Sequence, residues 1–162
     1  MGTWGEDGWA VRPGEGKRVD LGGPHWLEVL VRGAEVDQAL GAFVFAHDVI
    51  EENPPHAHHG FMKIAYVLDG EYDFRVGDAI FSGGAGTTVV VPKGSQHTFT
   101  TRTGGLMLFV SSPAGNEEMF LEMGRLGPDA TREQLEELNA RFQTNGLSGD
   151  EGLPWRRMRA AK

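Results

Sequence analysis

The sequence predicts an all-β domain followed by two C-terminal α-helices, on three observations. Seven short runs dominated by Val, Ile, Phe, Thr and Tyr are separated by Gly, Asp, Asn or Pro, as β structure with tight turns requires. Glycine is abundant, 24 of 162 residues, and falls largely between those runs. After residue 113 the period changes from strand-like to helical.

In chain order, residues 1–17 read as a loose arm that Trp4 and Trp9 are placed to pin to the body. The β region covers 18–113. Its runs are "HWLEVLVR" (25–32), "AFVFAHDVIE" (42–51), "FMKIAYVL" (61–68), "EYDFRV" (71–76), "TTVVVP" (87–92), "HTFTT" (97–101) and "LMLFVSS" (106–112). "LDGEY" predicts an Asp-Gly hairpin turn, and "FSGGAGT" a flexible connection. In the helical segment, 114–143, Met119, Phe120 and Met123 share one helical face. A second helix opens with Thr131 and Gln134 at capping-box spacing and continues with Leu135, Leu138 and Phe142. Residues 144–162 read as loop and tail, and no internal repeat marks a second domain.

Composition narrows the partners. Apolar residues make up 40% and charged residues 23%, ordinary for a soluble globular chain. A formal charge of −8 argues against nucleic acid and anionic membrane. With no cysteine, disulfides, thiolate chemistry and zinc knuckles are excluded. No stretch approaches the roughly 20 apolar residues that cross a bilayer, and the acidic, glycine-rich start is not a signal peptide, so the expected address is cytoplasmic. In "FMKIAYVL", Phe61, Lys63, Ala65 and Val67 fall on one side, and Met62, Ile64, Tyr66 and Leu68 on the other. Both sides are apolar apart from Lys63. One face therefore needs a cover: a second sheet, the helices, or a second copy in a homodimer.

The chemistry concentrates in "PPHAHHGFMK" (54–63). His56 and His58, two apart, point to the same side of an extended segment and present two imidazoles to one ion. His97, on another predicted strand, is a candidate third nitrogen. Imidazoles suit Zn, Fe, Cu and Ni alike. A solvated histidine-rich loop is the competing reading of the same residues. His59 has the wrong parity and faces the rim or solvent. His47 shares parity with Phe43 and Phe45, either lining a pocket or sitting in the core.

These residues give the chain its resemblance to cupins, and more narrowly to the small quercetin-dioxygenase-like cupins of bacteria. The first motif of that family, G-x5-H-x-H-x(3,4)-E-x6-G, is matched by His56, His58 and Gly70, with Lys63 at the glutamate position. The second, G-x5-P-x-G-x2-H-x3-N, is matched by Gly86, Pro92, Gly94 and His97, with Thr101 for the asparagine. The likeness runs over roughly residues 15–142.

The resemblance implies a double-stranded β-helix, the jelly-roll barrel, with a central cavity. It implies a divalent metal (Fe, Ni, Zn or Mn) held by His56, His58 and His97, with a metal-free pocket as the other reading. The family's glutamate is a ligand and, in quercetinase-like members, a base toward a flavonol hydroxyl; Lys63 reverses that charge. A buried lysine loses pKa and becomes a candidate general base or Schiff-base nucleophile, with His97 as catalytic partner. The competing reading is a structural lysine ion-paired to Asp48 or Glu71. His47, Phe45, Phe61, Phe99 and Phe109 are the candidate substrate-binding residues, with Ala65, Val67 and Met107 beside them. Such a lining suits an apolar, oxygen-rich, aromatic or polyketide-like small molecule. The expected function is metal-dependent oxygenation, or a Lys63/His acid–base cyclisation or isomerisation, as in secondary metabolism. A non-catalytic small-molecule-binding cupin is the alternative.

Overall fold

The computed structural model describes residues 7–51 and 53–145. Trp4 and the tail from 146 onward lie outside those residues; Trp9, expected as a pin, is 54% exposed. The strands are β1 (Lys17–Gly22), β2 (His25–Val31), β3 (Gly41–His47), β4 (Ala57–His58), β5 (Met62–Val76), β6 (Ala79–Gly83), β7 (Thr88–Val91), β8 (His97–Ser112) and β9 (Thr144–Asn145). The helices are α1 (Asn116–Leu126) and α2 (Arg132–Arg141). Strands run antiparallel in the order β1-β2-β3-β8-β5-β6, with β7 also on β5, while β4 and β9 pair separately.

The barrel curves because two strands are twice the length the sequence suggests. No hairpin forms at Asp69-Gly70. Instead β5 runs on through it, its first half paired with the second half of β8 and its second half with the first half of β8. The register shifts between Val67 and Asp69 and again between Gly70 and Tyr72, and these bulges turn the ladder. Gly70 sits there at φ 94°, where a side chain would collide with the Gly104 carbonyl. Dipeptides that read as turns are thus corners within strands. Two further strands form where the sequence showed no run: β1 follows the 1–17 arm and shares only Lys17 with it, and β6 takes in the first three residues, 81–83, of the stretch read as a flexible connection.

Alternation then sorts the side chains. Leu27, Val29, Phe43, Phe45, Ala65, Val67, Met107 and Phe109 fill the interior, joined by Leu121 of α1. Met119, Met123, Leu135 and Leu138 form a smaller core between the helices. The capping box of α2 forms as its sequence predicts, Thr131 Oγ1 accepting from Gln134 N. Glu117, wholly buried, ties α1 to the barrel: its carboxylate accepts from Gly33 N at 3.0 Å and Gly115 N at 2.9 Å. Gly41 leaves it room, since a Cβ there would strike that carboxylate.

On the outer sheet face Tyr66, Leu68 and Val90 are 40%, 41% and 51% exposed. The helices do not cover these three. No described helix is long and apolar enough to cross a membrane.

Candidate active site

Backbone pairing brings the histidines together. His56 and His97 form an isolated antiparallel bridge, N to O at 3.1 Å one way and 2.9 Å the other. Directly opposed residues share a face, so their rings meet with centroids 4.3 Å apart. His58, two residues along, returns to that side, 4.9 Å from His56 and 5.3 Å from His97 by centroid. Gly94 N holds this short segment in place by donating to His58 O at 2.7 Å. Each ring offers one nitrogen, and these lie within 4.8 Å of one another.

The free nitrogens fit a metal. His97 Nδ1 faces the Ser95 carbonyl at 3.0 Å, an acceptor only, so Nδ1 carries the proton and the lone pair is on the buried, unpartnered Nε2. His58 Nδ1 lies 2.8 Å from Thr144 Oγ1, which leaves Nε2 for the site. His56 Nδ1 is buried without a partner, although the residue as a whole keeps partial exposure. Desolvation first, and the nearby Lys63 second, hold all three imidazoles well below the ordinary histidine range, His56 at about 3. They are neutral at physiological pH, as ligation requires. Three such nitrogens suit Zn, Fe, Ni or Cu.

Burial of neutral histidines has a stability consequence. Below pH 6.5 the unfolded chain binds protons that the native His47, His56, His58 and His97 refuse. Metal-free protein should therefore lose stability as pH falls, by up to about 1.4 kcal/mol per pH unit for each histidine. Urea unfolding from neutral pH down to about pH 5 checks this. A flat midpoint would show the rings to be solvated.

Lys63 points inward from β5 and is 7% exposed. Burial alone pulls its pKa from 10.5 to about 7. The pairing with Asp48 or Glu71 that the sequence allowed does not form, and among the described residues no carboxylate lies within ion-pair distance. Its Nζ instead stands 5.1 Å from the centre of the Phe109 ring.

His56, His58 and Lys63 open on one cavity of about 50 Å³, walled by Phe43, Phe45, Phe99 and Phe109 from the barrel and by Asn116, Met119, Phe120 and Met123 from α1. That space takes an ion and a few waters. As it stands, that space does not hold a medium-sized ligand. Of the candidate binding residues, Phe45, Phe99 and Phe109 line the cavity. Phe61 stacks behind His58 at 4.6 Å. His47 lies away from the cavity wall, packed on Phe45, Tyr72 and Phe99, with desolvation taking its pKa to about 4. His97 completes the cluster but lines an outer groove with Arg75, Asp78 and Gln96 rather than the cavity wall.

Sequence reasoning missed Asn116 and Thr144, along with Ile50 and Asn53 of the cavity wall. Asn116, 1% exposed, lines the cavity with its Oδ1 unpartnered. It escaped notice because the helical pattern selects apolar positions. Thr144 fell in a stretch read as loop, and a two-residue strand leaves no periodic signal.

Comparisons agree with this architecture. Residues 47–112 match the cupin domain family. No curated protein matches the chain significantly. Among solved structures, an RmlC-like cupin from Shewanella frigidimarina superposes with TM-score 0.58 at 24% identity, over 72% of this chain and 99% of that one. KdgF from Halomonas sp. gives 0.59 at 18% identity, over 69% and 99%. Pac13 from Streptomyces, described as a unique nucleoside dehydratase, gives 0.55 at 17%, over 69% and 88%. At such identities the likeness is one of fold.

Proposed function

On the premise that this barrel belongs to the cupin superfamily, we propose that the protein is an enzyme that moves a proton on a small, apolar, oxygen-bearing molecule. Lys63 is the acid–base group, and His56, His58 and His97 hold a divalent metal. The observation that carries the reading is Lys63 itself: a buried amine with no carboxylate partner among the described residues, its pKa pulled down by burial, beside three imidazoles. A pKa lowered toward neutrality makes both the free amine and the ammonium accessible near neutral pH, as both halves of an acid–base cycle need. It takes the proton from a carbon or hydroxyl acidified by a neighbouring carbonyl. The ammonium so formed returns it to another atom of the same molecule, which yields an isomerisation, cyclisation or dehydration. The apolar wall excludes water that would compete for the proton. Asn116 supplies a hydrogen-bonding group to the bound molecule.

Lys63 stands at the position of the cupin glutamate, and its neutral form removes the repulsion an ammonium would exert on a dication. A bound metal supplies Lewis acidity toward a substrate oxygen. The completeness of the three-nitrogen face favours one second reading, oxygenation of an aromatic molecule. Elemental analysis of untagged protein comes first, with about one metal per chain expected, and none in His56→Ala/His58→Ala. Hydroxylated aromatic and 1,3-dicarbonyl compounds are then incubated in deuterated water. Deuterium uptake that Lys63→Met abolishes supports proton transfer; dioxygen consumption without it supports oxygenation. Neither signal would leave a binding protein.

The assembly we propose is a homodimer through the outer sheet face. Register aligns Val44, Leu108 and Tyr66 across β3, β8 and β5, and beside them Val110, Ile64 and Val90. That makes an apolar patch with no charge of its own, of the kind that marks an interface. Light scattering at micromolar concentration should give twice the chain mass, and Tyr66→Lys/Val90→Lys the single mass. A monomeric wild type would rule the dimer out.

A further inference from the structure

After α2 the chain returns to the site. β9 pairs with β4, Ala57 opposite Asn145 and His58 opposite Thr144, and His59 N donates to Gln143 O at 2.8 Å. Opposed residues share a face, so the Thr144 hydroxyl lies beside the His58 ring, with Oγ1 and Nδ1 2.8 Å apart. Both groups are buried, at 6% and 3% exposure. The hydroxyl has acceptors for its own proton in Phe142 O at 3.4 Å and Met119 Sδ at 3.6 Å. With the proton directed there, Oγ1 accepts from His58 Nδ1–H. The remaining lone pair of His58 is then on Nε2, the nitrogen left for His56 and His97 to share an ion with.

We propose that Thr144 is a positioning residue that fixes the tautomer of His58, which makes the C-terminal strand β9 part of the metal site. This rests on the metal-binding reading of the three histidines. A neutral imidazole must carry its proton on one nitrogen. Without an Nδ1 partner the Nε2–H form competes, and that form aims a donor at the ion. The carbonyl of Ser95 does the same service for His97 from the turn just before β8; His58 obtains it from a residue 86 positions away, by way of both helices. Packing of the helices and ligand strength at the site are thereby linked through one hydroxyl.

The test uses the full-length, metal-free protein labelled with 15N. Long-range 1H–15N spectra at mildly alkaline pH show which nitrogen of His58 is protonated. The expected result is Nδ1–H in the wild type, loss of that preference in Thr144→Val, and its return in Thr144→Ser. Zinc or cobalt titration should show affinity weakened about 10- to 100-fold in Thr144→Val and recovered in Thr144→Ser. An unchanged tautomer in Thr144→Val overturns the proposal. So does a wild-type His58 protonated on Nε2, which decides the matter even if Thr144→Val fails to fold. A wild type that takes up no metal, yet shows the tautomer switch, would instead refute the metal reading and leave the role of Thr144 standing.

Discussion

Lys63→Met is expected to stabilise the fold at neutral pH while abolishing proton transfer. The native pKa lies at about 7, against 10.5 for an unburied lysine. Between those values the unfolded chain holds a proton that the native protein has released. Wild-type stability must therefore rise with pH across that window and be lowest below it, where the native state has to bury an ammonium. The slope approaches about 1.4 kcal/mol per pH unit, so about 3 kcal/mol separates pH 7.5 from pH 9.5. Methionine keeps the volume of the stem without the charge, and the variant should lose this slope. Above about pH 10 another group intervenes. Burial, and then the nearby Asp69, push the Tyr72 hydroxyl well above the ordinary phenol range, so the native phenol keeps a proton that the unfolded chain loses, and stability turns downward. Urea unfolding of both proteins between about pH 7.5 and pH 9.5 isolates the lysine, since His56, His58 and His97, whose pKa values Lys63 also lowers, stay neutral throughout that window. Parallel pH profiles would mean that Lys63 reaches water. Loss of deuterium exchange in a well-folded, stabilised variant would assign the chemistry to the amine rather than to damaged structure.

The part of this site that sequence reveals is set by how far each signal travels along the chain. His56 and His58 are legible because two residues of one strand share a side, and Lys63 falls on the buried face by the same alternation. His97 required the spacing of the family motif, since nothing local marks its bridge to His56. Alternation fixes the face of a side chain but not its depth along the barrel. His47 and Phe61 are accordingly buried, as Phe45 is, yet stand off the cavity wall. Local sequence divides each long strand in two because Asp69-Gly70 and Gly104-Gly105 carry the chemistry of turns. Only pairing with a distant strand decides that such a glycine makes a bulge. The α2 capping box, wholly local, was legible in full. Asn116 and Thr144 owe their places to tertiary docking of α1 and β9, and no pattern within a few residues encodes that.

Lys63→Glu is the sharper exchange, because it alters the native chemistry and the metal in opposite directions. In the metal-free protein a carboxylate would stand in the same apolar wall as Phe99 and Phe109. Desolvation would raise its pKa and lower the stability of the fold. Three neutral imidazoles and that carboxylate then make a complete four-ligand set, and the charge beside the ion changes by up to two units. At an effective dielectric of about 20, such a change a few ångströms from a dication is worth several kcal/mol. Zinc affinity should tighten by at least about 100-fold, each tenfold being about 1.4 kcal/mol. The melting temperature should accordingly become strongly dependent on zinc, since an ion that binds only the native state stabilises by mass action. Calorimetric titration and thermal melts with and without zinc read both effects. Unchanged affinity would place Lys63 too far from the ion to act on it. The same variant should lose the proposed proton transfer, because the amine that carries it is gone. Full native activity in Lys63→Glu would reduce the lysine to a bystander and return the weight of the mechanism to the three histidines.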